Sequence, residues 1–242
     1  MDLPADAPEP SGEQPGPGLR ADAERNRERI LAAARRLFAG HGLGVSMACV
    51  ARAAGVGKAT LSRRFATREE LINAVFADRM DAYAAAVAEA LADPWHGFTG
   101  YVQAVCAMQA ADRGFAEVLA MTFPAAKALE ERRAEAYHGF LDLIARAKAT
   151  GHLREDFTDQ DMVILLMANA GVIAATTDAA PGAWRRLVGQ MLRAYAAPGA
   201  DLPPLEPAPT PTALYRAMVR LTRPASDSGG AREQATEPAG GR

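Results

Sequence analysis

Aromatic residues make up only 6% of the 242 residues of this chain, and cysteine occurs twice. Cys49 and Cys106 lie far apart and form no CxxC pair. That excludes a disulfide framework and a zinc site, and it fits a reducing, cytoplasmic location. There is no N-terminal apolar run of the kind a signal peptide needs. Met162–Thr177 is apolar over most of its length, but Asn169 interrupts it and it is too short to span a bilayer, so no membrane partner is expected. Runs of alternating β-branched residues are missing, while alanine is abundant, which favours close-packed helices over a sheet. His41, His96, His138 and His152 do not fall at metal-ligand spacings, and no GxSxG or HExxH occurs. The GVGKAT segment looks like a phosphate loop, but Arg52 stands where its first glycine belongs and Ala59 where magnesium needs a hydroxyl. No enzyme, metal or cofactor is expected from such a chain.

What is present is unevenly placed charge. The net charge is −2, yet the window Arg20–Arg68 carries eleven Lys/Arg against three Asp/Glu. That surplus of eight leaves the remainder with ten net negatives. One basic lobe suited to a polyanion is therefore joined to an acidic lobe that is not.

The centre of the basic lobe is Val45–Phe65, VSMACVARAAGVGKATLSRRF. Ser46 is a good N-cap for a helix with Met47, Val50, Ala51 and Ala54 on its apolar face. Gly55 stands where a helix end needs a left-handed residue. Val56 and Gly57 complete a turn, and a second helix starts near Lys58. Leu61 and Phe65 share its inner face. Ala59, Thr60 and Arg63 point the other way, flanked by Ser62 and Arg64. An apolar anchor behind, small residues for close approach and guanidinium groups in front suit a helix that reads a major groove.

With ERILAAARRLFAGHG before this stretch and ATREELINAVF after it, the chain resembles the TetR family of bacterial transcriptional regulators over about 24–76, roughly a fifth of its length. The resemblance implies an all-α fold: an N-terminal three-helix helix-turn-helix DNA-binding domain followed by a larger helical ligand-binding and dimerisation domain. It also implies a homodimer on double-stranded DNA at a palindromic operator, with a small-molecule effector. Ser62 stands where the family usually has a tyrosine, Gly57 where it has Ser or Thr, and Ala48 and Cys49 where polar residues often touch the backbone. The expected DNA-binding residues are Ser46, Lys58, Ala59, Thr60, Ser62, Arg63, Arg64 and Arg68. Lys58 and Arg63 are the candidates for base edges, and Thr60, Ser62, Arg64 and Arg68 for phosphates.

Domain organisation follows from composition and caps. Residues 1–20 read as a disordered tail rich in Pro, Gly and acid. Residues 21–66 form the head, 67–197 the second domain, 198–211 a Pro-rich linker, 212–222 a last amphipathic helix, and 223–242 a second disordered tail. Helix 1 is expected over about 22–40, with Ile30, Leu31, Ala34, Leu37 and Phe38 as its buried stripe. Thr67 and Glu70 read as a capping box for a helix reaching about Leu91. Trp95–Ala111 follows, then a short helix capped by Asp112. Pro124 opens a long helix to Thr150, with Leu129, Tyr137, Phe140, Leu141 and Ile144 inward and Glu130–Glu135 as a solvated charge run. Thr158 caps a helix over 159–178 that is apolar all round across Met162–Ala175, which suggests an intersubunit contact. Pro181 starts its neighbour, to about 196, and these two helices would form the dimer interface, as the resemblance implies.

Candidate ligand-lining residues are Phe98, Tyr101, Met108, Met121, Phe123, Tyr137, Phe140 and Asn169, which would favour an apolar or aromatic compound. The reading is a sequence-specific DNA-binding regulator, a homodimeric repressor released by such a ligand. The alternative is a helical sensor or interaction protein with a weakened DNA-binding head.

Overall fold

A computed structural model describes residues 17–222. The described chain forms ten helices: α1 (Pro17–His41), α2 (Met47–Ala54), α3 (Lys58–Arg64), α4 (Arg68–Ala90), α5 (Pro94–Ala111), α6 (Arg113–Ala120), α7 (Lys127–Ala149), α8 (Asp159–Thr176), α9 (Ala183–Tyr195) and α10 (Pro211–Thr222). The all-α expectation holds. The chain divides into two compact units, before and after the Thr150–Gly151 junction. The expected tails at 1–16 and 223–242 lie outside the described residues. The first tail ends earlier than expected, because α1 already begins at Pro17, where a proline suits a first helical turn.

In the first unit, short polar side chains set most of the helix starts. Thr67 Oγ1 accepts from the Glu70 amide at 3.1 Å, while the Glu70 carboxylate reaches back to the Ala66 amide at 2.8 Å. Asp93 accepts from the His96 amide at 3.4 Å at the start of α5, and Asp112 from the Phe115 amide at 3.0 Å at the start of α6. Such caps satisfy amides that the helix leaves open. One core joins Ile30, Ala34 and Phe38 of α1 to Val50, Leu61, Leu71, Ile72, Phe76, Phe115, Val118 and Leu129. Deeper in the unit, aromatic rings pack in series: Trp95 on Phe98 with centroids 6.1 Å apart, Phe98 on Phe140 at 6.4 Å, Phe140 on Tyr101 at 5.2 Å, and Tyr101 on Tyr83 at 5.6 Å. Pairs at these separations add to the stability that area burial alone gives.

Two expectations fail here. Pro124 does not open α7, which begins three residues later at Lys127; Phe123 and Ala126 are buried in a preceding turn closed by the Ala126 amide on the Phe123 carbonyl at 2.8 Å. Tyr137 is not on the inner face of α7 but 47% exposed; the buried positions are Leu129, Ala136, Phe140, Leu143, Ile144 and Ala147. The expected solvated charge run is only partly solvated. Arg133 is bonded to Glu130 at 2.9 Å with both side chains about one-quarter exposed, and Glu130 also accepts from the Phe123 amide at 2.6 Å.

In the second unit, the Thr158 capping box with Asp161 is formed. α8 ends at Thr176 rather than 178, and α9 starts at Ala183, so Pro181 precedes its N-cap Gly182 instead of occupying the first turn. Phe157 meets Tyr195 edge-on with centroids 4.8 Å apart, and the Tyr195 hydroxyl donates to the Asp161 carbonyl at 3.2 Å. The Pro-rich segment after α9 is a strap: Arg193 donates to the Pro203 carbonyl at 3.0 Å and Arg186 to the Glu206 carbonyl at 2.6 Å. α10 then packs on α8. The apolar α8 is not enclosed within the chain. Met162, Leu165 and Asn169 are buried, but Val163, Ile164 and Met167 are exposed, Met167 to 70%.

Candidate nucleic-acid interface

α2 begins as the sequence predicts. Ser46 has an extended backbone, and its hydroxyl accepts from the Cys49 amide at 3.2 Å. Val50, Ala51 and Ala54 are buried and Met47 half-buried. The helix stops at Gly55 in the left-handed region, φ +63°. A side chain there is disfavoured twice, because an added Cβ would also lie 2.6 Å from Arg29 Nη2. The same guanidinium donates to the Gly55 carbonyl at 3.2 Å. Arg29 thus braces the turn from α1, a role the sequence reading missed.

α3 follows after one bend. Gly57 is its N-cap without a side-chain bond, and the Thr60 and Leu61 amides close on the Gly57 carbonyl at 3.0 and 3.1 Å. Leu61 is 1% exposed and Phe65 5%, both in the shared core. A helix of seven residues has little stability of its own, so these two anchors hold it. Lys58, Ala59, Ser62, Arg63 and Arg64 are exposed and Thr60 is half-buried. Arg63 Nη2 touches Thr60 Oγ1 at 3.4 Å, a weak tether that leaves the guanidinium outward. The face expected to lie outward lies outward.

Arg68 is also engaged within the head itself. Its Nη1 donates to the Val45 carbonyl at 2.6 Å, and its guanidinium lies 6.0 Å from the centroid of the Phe38 ring. The side chain on the first turn of α4 therefore fastens the residue ahead of the α2 cap, and less of it is left for a phosphate. Further back, Arg25 and Arg27 are engaged with Asp22 and Glu24 on their own helix. Glu117 of α6 accepts from the Leu43 amide at 2.6 Å, tying α6 to the turn between α1 and α2. Only the fold could reveal that contact, since the partners are far apart in sequence.

The expected ligand residues do not form one lining. Phe98, Tyr101 and Phe140 are packed ring on ring, and burial raises the phenol pKa of Tyr101, with the neighbouring Tyr83 hydroxyl adding to it. Met108 and Phe123 belong to the core beneath α1–α4. Met121 and Tyr137 are exposed to 48% and 47%. Asn169 is fully buried in the second unit. Among the described residues no group of His, Cys, Asp and Glu is placed to hold a metal ion, and no helix is long and apolar enough to cross a membrane.

Comparison with known proteins agrees with this geometry. Residues 30–75 match the model of the bacterial regulatory proteins of the tetR family, and residues 93–194 match the C-terminal domain of SbtR-like transcriptional regulators. Among solved structures, a TetR transcription regulatory protein from Mycobacterium vanbaalenii is 30% identical over 74% of this chain and 99% of that one, with a TM-score of 0.43. A TetR transcriptional regulator from Streptomyces coelicolor is 28% identical over 72% and 99%, with a TM-score of 0.47. NalD, a repressor of a multidrug efflux pump in Pseudomonas aeruginosa, is 17% identical over 74% and 100%, with a TM-score of 0.51, and shares the fold. The two family matches together span more than half the chain, and they meet the helix-turn-helix where the exposed basic helix stands: this chain belongs to the TetR family of bacterial transcriptional regulators, which bind DNA.

Proposed function

We propose that the protein is a homodimeric repressor that binds an inverted repeat and is released from it by a small apolar or aromatic compound, working in the cytoplasm. The observation that carries the reading is α3 itself: a short helix pinned by Leu61 and Phe65, with Lys58, Arg63 and Arg64 outward. Two such helices, one from each protomer, enter successive major grooves. Lys58 and Arg63 meet base edges, with each good pair contributing about 1–3 kcal/mol of discrimination. Ala59 lets the backbone approach. Thr60, Ser62 and Arg64 hold phosphates, and the Ser46 cap orders the first amides of α2 toward the backbone. Arg68 supports the interface from behind.

The dimer forms through α8 and α9. The exposed stripe of Val163, Ile164 and Met167, with small Ala168, Gly171 and Ala174 beside it, supports this. The effector enters the first unit where Phe98, Tyr101 and Phe140 stack, and it acts by favouring one spacing of the two heads over the other. Selection from random duplexes, followed by footprinting on the best sequence, tests the reading. The expected result is one enriched inverted repeat with half-sites about one or two helical turns apart. A pool that enriches no sequence while the protein is folded and dimeric overturns it.

A further inference from the structure

α10 turns its small side chains to its own protein and its large ones to solvent. At about 100° per residue, Leu214, Tyr215, Met218, Val219 and Leu221 share one broad arc, and Ala213 and Ala217 lie across from it. Ala217 is 3% exposed where α10 packs on α8, whereas Tyr215, Met218 and Leu221 are 68%, 64% and 67% exposed. A surface helix ordinarily does the reverse. The arrangement is held at both ends: Thr210 Oγ1 accepts from the Ala213 amide at 3.2 Å, and Arg220 is ion-paired with Asp178 just beyond α8. Of the ten large hydrophobic side chains exposed among the described residues, eight are on α8 or α10. A concentration of this kind marks a surface that something covers.

We propose that a second copy of this chain covers it: α10 is an added dimerisation element whose outward face extends the interface made by α8. The proposal rests on the dimer reading given above. Three observations favour a second copy over other occupants. α10 packs directly on α8, the same helix that carries the outward stripe of Val163, Ile164 and Met167 assigned to the dimer. The arc carries no charge, because Arg216 and Arg220 lie outside it and Arg220 is held by Asp178. An uncharged apolar face is complementary to itself, as a two-fold interface requires, and offers little to an anionic lipid surface. Finally, the match to the family's C-terminal domain ends at residue 194, so α10 adds interface that this shared domain does not supply.

Sedimentation equilibrium of the full chain tests this. Met218→Glu and Leu221→Glu are expected to raise the dimer dissociation constant roughly ten- to a hundred-fold, while Arg216→Ala leaves it unchanged. Met167→Glu on α8 reports on the dimer reading separately. If Met167→Glu breaks the dimer and both α10 variants keep it intact, the α10 proposal is wrong and the dimer reading stands. A wild-type chain that stays monomeric at every concentration removes both. Loss of binding to phosphatidylglycerol vesicles in Met218→Glu, at an unchanged dimer constant, assigns the face to lipid and overturns the proposal. Should the variants fail to fold by circular dichroism, amide exchange on the wild type decides. Exchange over 212–222 is expected to slow above the dimer constant, and equal rates above and below it refute the proposal.

Discussion

Replacing Arg68 by alanine separates two kinds of basic residue in this head. Nη1 of Arg68 is 2.6 Å from the Val45 carbonyl, and the guanidinium faces Phe38. A hydrogen bond from a charged donor contributes about 1.5–3 kcal/mol, and a partly exposed cation–π contact about 0.5–1 kcal/mol. The side chain is half-buried, which places the combined loss near ~2–3 kcal/mol. For a protein of this size that lowers the melting temperature by roughly 5–10 °C. Because Val45 directly precedes the Ser46 cap, the start of α2 loosens, and affinity falls by a similar factor for every DNA sequence. Among the described residues Arg63 has only its 3.4 Å contact with Thr60, so Arg63→Ala is expected to change stability by less than ~0.5 kcal/mol and to relax preference at one base position by about 1–3 kcal/mol. Calorimetry and fluorescence anisotropy across a salt series measure both. If Arg68→Ala melts like the wild type and lowers the salt slope by about one per protomer, Arg68 is a phosphate ligand and the bracing argument fails.

Other substitutions probe the supports of the head. Gly55→Ala should cost about 1–2 kcal/mol by thermal melting, because φ is +63° and the new Cβ meets Arg29 Nη2; with Arg29→Ala already in place the steric part of that cost should vanish. Asp112 is 4% exposed, caps α6 and pairs with Arg79 at 2.5 Å, so Asp112→Ala should lower stability by roughly 2–3 kcal/mol in urea titration, and a loss below ~0.5 kcal/mol would count against the cap. Cys106 is fully buried and burial pushes its thiol up to about 12, whereas Cys49 is half-exposed; a thiol reagent should label Cys49 in the native protein and Cys106 only on unfolding. The folded state holds the Cys106 proton more tightly than the unfolded state does, so this share of stability is intact below pH ~9 and declines as pH rises toward 12. Cys106→Val should flatten that alkaline decline, and an unchanged slope would assign it to other groups.

What could be read before the fold was known was local. Ser46, Thr67, Asp112 and Thr158 cap helices because their side chains bond amides two or three residues ahead, and that information is contiguous in the chain. The outward face of α3 was legible for the same reason, since Leu61 and Phe65 lie one turn apart. Prolines were less reliable guides. Pro124 and Pro181 sit in turns ahead of their helices, because Phe123, Ala126 and Ala180 are drawn into the interior first. Tyr137 fits the apolar spacing of α7 as well as Ala136 does, and only the neighbouring helices decide which of the two is inside. The bonds of Arg68 to Val45, Arg29 to Gly55 and Glu117 to Leu43 join residues 23, 26 and 74 positions apart, which no local pattern encodes.

Those long-range bonds bear on how the head can respond to anything bound behind it. A division at residue 66 suits the sequence pattern, but the core runs without a break from Ile30 and Val50 through Leu71 and Phe76 to Phe115 and Leu129. α6 lies hard against α1: a Cβ placed on Gly114 would come within 2.8 Å of Phe38 Cβ and 3.0 Å of Phe76. Close-packed interiors transmit a displacement because they have no free volume to absorb it. Glu117, one turn beyond Gly114, holds the Leu43 amide in the turn that leads to α2. Any rearrangement that shifts α6 by a fraction of an ångström therefore carries α1 and the start of α2 with it. α4 meets the same core at Leu71, Ile72 and Phe76 and fastens Val45 through Arg68, so both helices act on the same few residues. α3 is anchored by Leu61 and Phe65, and its orientation follows theirs. In the proposed regulator the reading helix is therefore expected to move as a rigid part of the α1–α4–α6 assembly, so that a compound loosening the aromatic stack would change the aim of α3 without unfolding it.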